Sequence, residues 1–447
     1  MSSEVIQIAP KADSAELPRT IGLFDAVSLV VGGVIGSGIF LVSSEIARDL
    51  PSARLIFAVW IVTGLISFFG ALAYAELGAM LPASGGQYVY LREAYGPLIA
   101  FVFNWTSFLI IQTGTIATLA VGFAIYLGAL IPAAQAWQSP TALTLIVCLT
   151  ILNIFGVREG VWFQTLCTIL RVAGILLLIG AAFLHAPHAP TAIIHTAPIT
   201  WTAVSAAMAA CFWTYEGWYI LGFVAGEVKR PQTNIVIALA AGMAIVIGLY
   251  VMANAAYLRT LPIETIASTE RVASLVAQTT MGRTGVLIVL LTILISIGGS
   301  NNAGVLSAPR LYFALARDGL FFRAVGQLHP RWKTPVLALV LQCVWAAVLT
   351  LSGKYDQLYS YVIFASWLFY ALAVGGVVVL RRKRPGWPRP YRMWGYPYAP
   401  LAFVAFALCF LVSTVASAPR PSLIGAVLVA AGIPAYLLWR RSAQSKP

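Results

Sequence analysis

Charged side chains are scarce in this chain. Asp, Glu, Lys and Arg make up 10% of its 447 residues, where an average soluble domain carries about a quarter. So few charges cannot cover a water-facing surface, which excludes an ordinary soluble enzyme and a nucleic-acid-binding domain. Histidine occurs four times, and His185, His188 and His195 share one Pro-rich loop. A closed metal site needs a fourth ligand, so the loop reads as exposed, and no metal is expected. The five cysteines, Cys148, Cys167, Cys211, Cys343 and Cys409, all fall in apolar stretches, where the thiol acts as a small buried hydrophobe rather than half of a disulfide. HExxH, GxSxG and paired His/Asp clusters are missing from the apolar segments, so the chemistry of a membrane enzyme has no carrier and no cofactor is expected.

What is present is apolar. Hydrophobic residues make up 60% of the chain and the mean hydropathy is +0.87. A helix needs about 20 apolar residues to cross a bilayer. Twelve segments satisfy this: 22–45, 53–80, 97–131, 139–157, 161–184, 200–225, 233–257, 284–316, 334–352, 357–380, 398–417 and 421–439. The fold class is an all-α polytopic membrane protein with twelve transmembrane helices. The third and eighth segments are long enough to tilt strongly or to extend past the bilayer. Residues 1–20 are polar and carry no cleavable signal pattern.

The net charge of +13 follows from topology. With the N-terminus inside, 20 Lys and Arg fall on the inner side, seven on the outer side, and Arg171 within a span. That asymmetry puts both termini in the cytoplasm and the protein in the cell (inner) membrane. The basic run Arg381-Arg-Lys-Arg384 reads as a topology anchor, with anionic membrane lipid as a further partner. The organisation expected is a cytoplasmic tail (1–20), a ten-helix core (21–380), a basic cytoplasmic loop (381–397), helices 11 and 12 (398–439) and a short cytoplasmic tail (440–447).

Two segments look broken on purpose. Val31-Gly-Gly-Val-Ile-Gly-Ser-Gly-Ile-Phe40 places four glycines within eight residues of the first span, and glycine is a poor helix former. Phe212-Trp-Thr-Tyr-Glu-Gly-Trp-Tyr219 places Glu216 and Gly217 in the sixth. Unwound backbone at membrane depth survives only against protein or a wet cavity. Two breaks five helices apart suit a five-plus-five inverted repeat with discontinuous helices 1 and 6 and a substrate site between the halves.

The run Gly36-Ser-Gly-Ile-Phe40 resembles the first-helix motif of the amino acid–polyamine–organocation superfamily. So do Ser84-Gly-Gly-Gln-Tyr88, Tyr215-Glu-Gly-Trp218 with Gly226-Glu-Val-Lys-Arg-Pro231, and Ala308-Pro-Arg-Leu-Tyr-Phe-Ala-Leu-Ala-Arg-Asp-Gly319. The likeness is strongest to the L-type amino-acid transporters and their bacterial exchanger relatives, from about residue 20 to 440. It implies a sodium-independent amino-acid transporter working by alternating access as an exchanger. The alternative is a proton-coupled amino-acid or polyamine uptake permease. Eukaryotic L-type relatives bind a glycoprotein through a disulfide in the loop after the third span. The stretch Pro132 to Pro140 has no cysteine, so no disulfide-linked heavy subunit is expected.

A zwitterionic substrate fits the breaks. Its carboxylate suits the N–H groups of Ser37, Gly38 and Ile39 at a helix start near Gly36, where the dipole helps. Its ammonium suits open carbonyls of Val34, Ile35, Trp213 and Thr214. The resemblance makes Trp213 an aromatic gate closing from outside, with Tyr215 as packing with partial site exposure, and Gly217 at the break. Asn104, Gln112, Ser300, Asn301, Asn302 and Ser366 are polar candidates for side-chain selection. Arg171 is a lone cation in the fifth span, costing at least ~2.5–3.5 kcal/mol unless paired or hydrated. Relatives commonly carry Lys there, where sodium-coupled cousins bind a cation; Arg cannot release its proton, so it is expected to tie span five to span-one carbonyls. Glu216 is left with three roles: pairing with Arg171 or a structural link, holding a cationic side chain, or carrying a coupling proton.

Overall fold

The computed structural model describes residues 17–185, 200–352, 355–417 and 419–444. His188 and His195 lie outside the described residues. Bilayer interiors offer no water to backbone groups, so a chain this apolar satisfies them within helices. Apart from one isolated bridge between Ile21 and Val228, regular structure among the described residues is helical.

The first span is two helices, α1 (Leu23–Val34) and α2 (Gly38–Asp49), bent by 40° at their junction. Next come α3 (Ala53–Met80), the short α4 (Gln87–Tyr95) and α5 (Pro97–Thr106). A wide π turn, Ser107–Ile111, leads from α5 into α6 (Gln112–Leu130). Helices α7 (Gln138–Phe155) and α8 (Val157–His185) complete the first half. The sixth span is α9 (Trp201–Thr214), an unwound stretch, and the single turn α10 (Ile220–Phe223). Then follow α11 (Pro231–Thr260), the small α12 (Ile263–Ser268), α13 (Val272–Ser307), α14 (Pro309–Arg317), α15 (Val336–Leu351) and α16 (Tyr355–Lys383). The last are α17 (Tyr398–Ser417), α18 (Pro419–Ala430) and α19 (Gly432–Gln444).

Nine helical stretches among the described residues are long and apolar enough to cross a membrane, and the α1–α2 pair makes ten. The other two of the twelve segments are α15, apolar but 16 residues long, and the broken α9–α10 pair. The long eighth segment resolves into parts: Gly282, at φ +64°, breaks α13 ten residues after its start, so only the second part lies in the predicted span.

Spans five apart in the chain meet in pairs: α1 packs on α10, α3 on α11, and α6 on α13. An odd offset makes such partners run in opposite directions. The two broken spans therefore face each other at the centre, as the inverted-repeat reading requires. The loop after α16 is folded rather than loose. Glu76 of α3, buried at 1% exposure, accepts from Arg381 Nε at 2.9 Å and Nη2 at 2.6 Å and from the Met393 N–H at 2.7 Å. The first arginine of the basic run is thus committed to protein.

Candidate functional site

The break in the first span begins where Ile35 turns to extended backbone (φ −74°, ψ 93°). Helix α2 restarts at Gly38, two residues later than the sequence suggested, with Ser37 at its N-cap. A serine there usually caps its own helix, but the Ser37 side chain makes no such bond. Its hydroxyl and Gly38, whose N–H at the helix start has no acceptor one turn back, stand at the wall of a cavity.

That cavity holds about 590 Å³. Val34, Gly36, Ser37, Gly38, Trp213, Thr214, Glu216 and Gly217 line it. Gly33, Tyr219 and Ile220 sit where the two breaks meet. Gly217 adopts φ +121°, and a Cβ there would overlap the Gly33 carbonyl oxygen. A Cβ on Gly33 would in turn come within 3.0 Å of the Gly217 oxygen. Glycine at both positions lets one unwound backbone lie directly on the other. Glu45, Ala129, Glu270 and Arg271 form the mouth, on the side away from the start of α1.

Two predicted site residues are elsewhere. Tyr215 is fully buried behind the cavity, its ring 5.8 Å from Trp60 and 5.1 Å from Tyr250. One position along an unwound turn separates it from Glu216, and that turn points the two side chains apart. Ile35 is also fully buried, and its carbonyl is occupied. Arg171 donates to it at 2.6 Å, Ser296 at 2.9 Å and Ser300 at 3.0 Å. Arg171 also reaches the Gly32 carbonyl at 2.7 Å. Tyr250 donates to the carbonyls of both Val34, at 3.2 Å, and Thr214, at 3.1 Å. The Trp213 carbonyl accepts the Glu216 N–H at 3.3 Å. The carbonyls expected to await an ammonium are thus largely engaged by protein.

Arg171 is fully buried and its guanidinium ties α8 to the break in α1. It is not paired with Glu216. Tyr370 of α16 donates to Glu216 Oε1 at 2.5 Å instead. Of the six polar candidates, Gln112 and Ser300 reach the cavity. Asn104, Asn301 and Asn302 donate to the carbonyls of Leu311, Ile116 and Gly160 across helix contacts, and Ser366 is buried. Sequence reasoning missed Tyr250, Ser296 and Tyr370. A tyrosine in an apolar helix carries no local signal; Ser296, one turn before Ser300, carried a faint one.

Below the cavity the molecule is shut. Arg310 holds Glu227 through two bonds, 2.7 and 3.1 Å, with both side chains fully buried, and also donates to the Leu306 carbonyl. Ile21 exchanges backbone bonds of 2.9 Å with Glu227 and Lys229. Gly85 donates to the Phe223 carbonyl at 2.8 Å. Asp318 accepts from Tyr88 at 2.6 Å and Arg92 at 2.5 Å. Three motifs distant in sequence, at 84–88, 226–231 and 308–319, therefore converge on one layer. Breaking a buried ion pair from one side costs about 3–5 kcal/mol. Glu227→Ala should lower the thermal unfolding temperature in detergent well outside error; an unchanged temperature would show that the pair contributes nothing.

The amino acid permease family model matches residues 21–433. The human cystine/glutamate transporter is 32% identical over 441 residues, covering 96% of this chain and 87% of that protein. The serine/threonine exchanger SteT of Bacillus subtilis is 30% identical over 428 residues, 94% of this chain and 96% of its own length. The human large neutral amino acids transporter small subunit 2 is 31% identical over 436 residues, 94% and 80% respectively. A multi-pass membrane chain with two broken spans facing one cavity, matched over nearly its whole length, belongs to the amino acid permease family, a family of transporters rather than enzymes.

Proposed function

We propose that this protein is a sodium-independent amino-acid exchanger working by alternating access. The observation that carries the reading is a cavity open on one face, floored by the two helix breaks and closed beneath by the Glu227–Arg310 layer. Relatives named as exchangers and as cystine/glutamate, serine/threonine and large neutral amino-acid carriers support it. The substrate carboxylate sits at Ser37 and Gly38, against the start of α2. The ammonium takes acceptors from Gly33 and the remaining lone pairs of Val34 and Thr214. Residues 21–380 form the transport core, and 398–439 flank it. Both termini are cytoplasmic, the site is the inner membrane, and the chain works without a disulfide-linked heavy subunit.

Proteoliposomes loaded with unlabelled amino acid should take up labelled amino acid about tenfold faster than empty ones. Equal rates would overturn exchange. The second reading, proton-coupled uptake, rests on Glu216, whose Oε2 is buried without a hydrogen-bond partner among the described residues. It requires uptake into empty vesicles driven by an inward proton gradient.

Trp213 lines the cavity beside Gly38 and Thr214, placed to close over the substrate. Trp213→Ala should weaken substrate affinity about tenfold, equivalent to ~1.4 kcal/mol, and speed efflux, with insertion intact. Affinity equal to wild type would make the residue packing alone.

A further inference from the structure

The cavity has two electrically different ends. One is the break in α1, where the Arg171 guanidinium lies behind the Gly32 and Ile35 carbonyls and the start of α2 presents N–H groups. This end takes a carboxylate. The other is Glu216, on the opposing broken span. Its Oε1 accepts Tyr370 at 2.5 Å, while Oε2 is buried and unsatisfied among the described residues. A buried carboxylate oxygen with no donor is costly, and a donor brought by the substrate would remove that cost. Tyr219 and Gln112 stand at the same wall. At the mouth, Glu45 and Glu270 outnumber the one lining cation, Arg271. A cavity lined by three carboxylates and one guanidinium concentrates cations and repels anions.

We infer that the protein favours amino acids with a cationic side chain, a guanidinium or a terminal ammonium, held at Glu216 while the α-carboxylate is held at Ser37 and Gly38. The inference rests on the amino-acid exchange reading. Tyr370 is a positioning residue: its hydroxyl occupies Oε1 and leaves Oε2 as the oxygen without a donor. An acidic side chain would meet Glu216 as a like charge in a water-poor space, so acidic amino acids are rejected.

The test uses the full chain in proteoliposomes loaded with an equimolar mixture of unlabelled L-arginine, L-lysine, L-serine and L-glutamate, with one of the four labelled outside. Wild type should exchange arginine and lysine about tenfold or more faster than glutamate. Glu216→Gln keeps the shape and a partner for Tyr370 but removes the charge. It should reduce arginine exchange at least about tenfold more than serine exchange, as expected for losing a charged hydrogen bond. Three results would overturn the inference: glutamate exchange matching arginine in wild type, an unchanged arginine-to-serine ratio in Glu216→Gln, or an equal loss for every substrate. The last would place Glu216 at the α-ammonium. Vesicles that exchange none of the four would sink the transport reading itself.

Discussion

Gly38→Val should insert and fold yet lose at least about a hundredfold in exchange rate, ~2.7 kcal/mol in barrier terms. A Cβ at residue 38 would overlap Thr214 Cγ2 and lie 3.0 Å from Thr214 Cβ. Residue 38 is the first of α2 and Thr214 the last of α9, so an added side chain wedges the two half-helices apart at the proposed carboxylate site. Valine also covers the N–H groups it would expose to substrate. The helices themselves tolerate valine, because neither break passes through a helix interior. Gly36→Ala is the control: a Cβ there meets only Ser300 Oγ, at 3.9 Å, so steric bulk near the break is separated from bulk at the site. Initial rates in proteoliposomes, normalised to protein recovered as a single species in detergent, decide it. Normal uptake by Gly38→Val would remove the site from α2.

Replacing sodium by choline at fixed pH should leave the initial rate unchanged, and Arg171 is the physical reason. Its guanidinium is fully buried between α8 and the break in α1, engaging carbonyls of Gly32 and Ile35. A sodium ion coordinating the same carbonyls would sit beside a permanent positive charge. At about 4 Å and an effective dielectric near 20 the repulsion is on the order of 4 kcal/mol. Arg171→Ala should cut the exchange rate about tenfold or more. The carbonyls of the break lose their charged donors, each such bond being worth ~1.5–3 kcal/mol, and α1 is freed from α8. Arg171→Lys should keep part of the activity, since an ammonium supplies charge without the planar fork. A tenfold drop on removing sodium, or full activity in Arg171→Ala, would contradict the assignment.

Much of this molecule is readable from its amino-acid order alone. Membrane spans follow from length and apolarity, because the bilayer imposes both. The glycine cluster at 32–38 announced the first break, and Glu216-Gly217 the second, because glycine and a mid-membrane carboxylate are each unfavourable in a plain helix. The burial of Arg171 near span one was legible for the same reason: an isolated cation requires acceptors, and an unwound helix leaves carbonyls without their helical donors.

Other features depended on geometry that no local pattern encodes. Tyr215 and Glu216 are adjacent in sequence, yet the turn at Gly217 sends one into the Trp60–Tyr250 cluster and the other to the cavity. Residue order left Glu216 with Arg171 as one of several possible partners, whereas packing brought Tyr370 to it from 154 positions away. The carbonyls of Val34, Ile35 and Thr214 were expected to be open. Tyr250, Ser296 and Ser300 reach them from helices distant in the chain. Residue order decides where a helix must break, since that depends on local backbone energy. Which side chains then satisfy the broken backbone depends on how separate helices pack, and only the tertiary structure decides that.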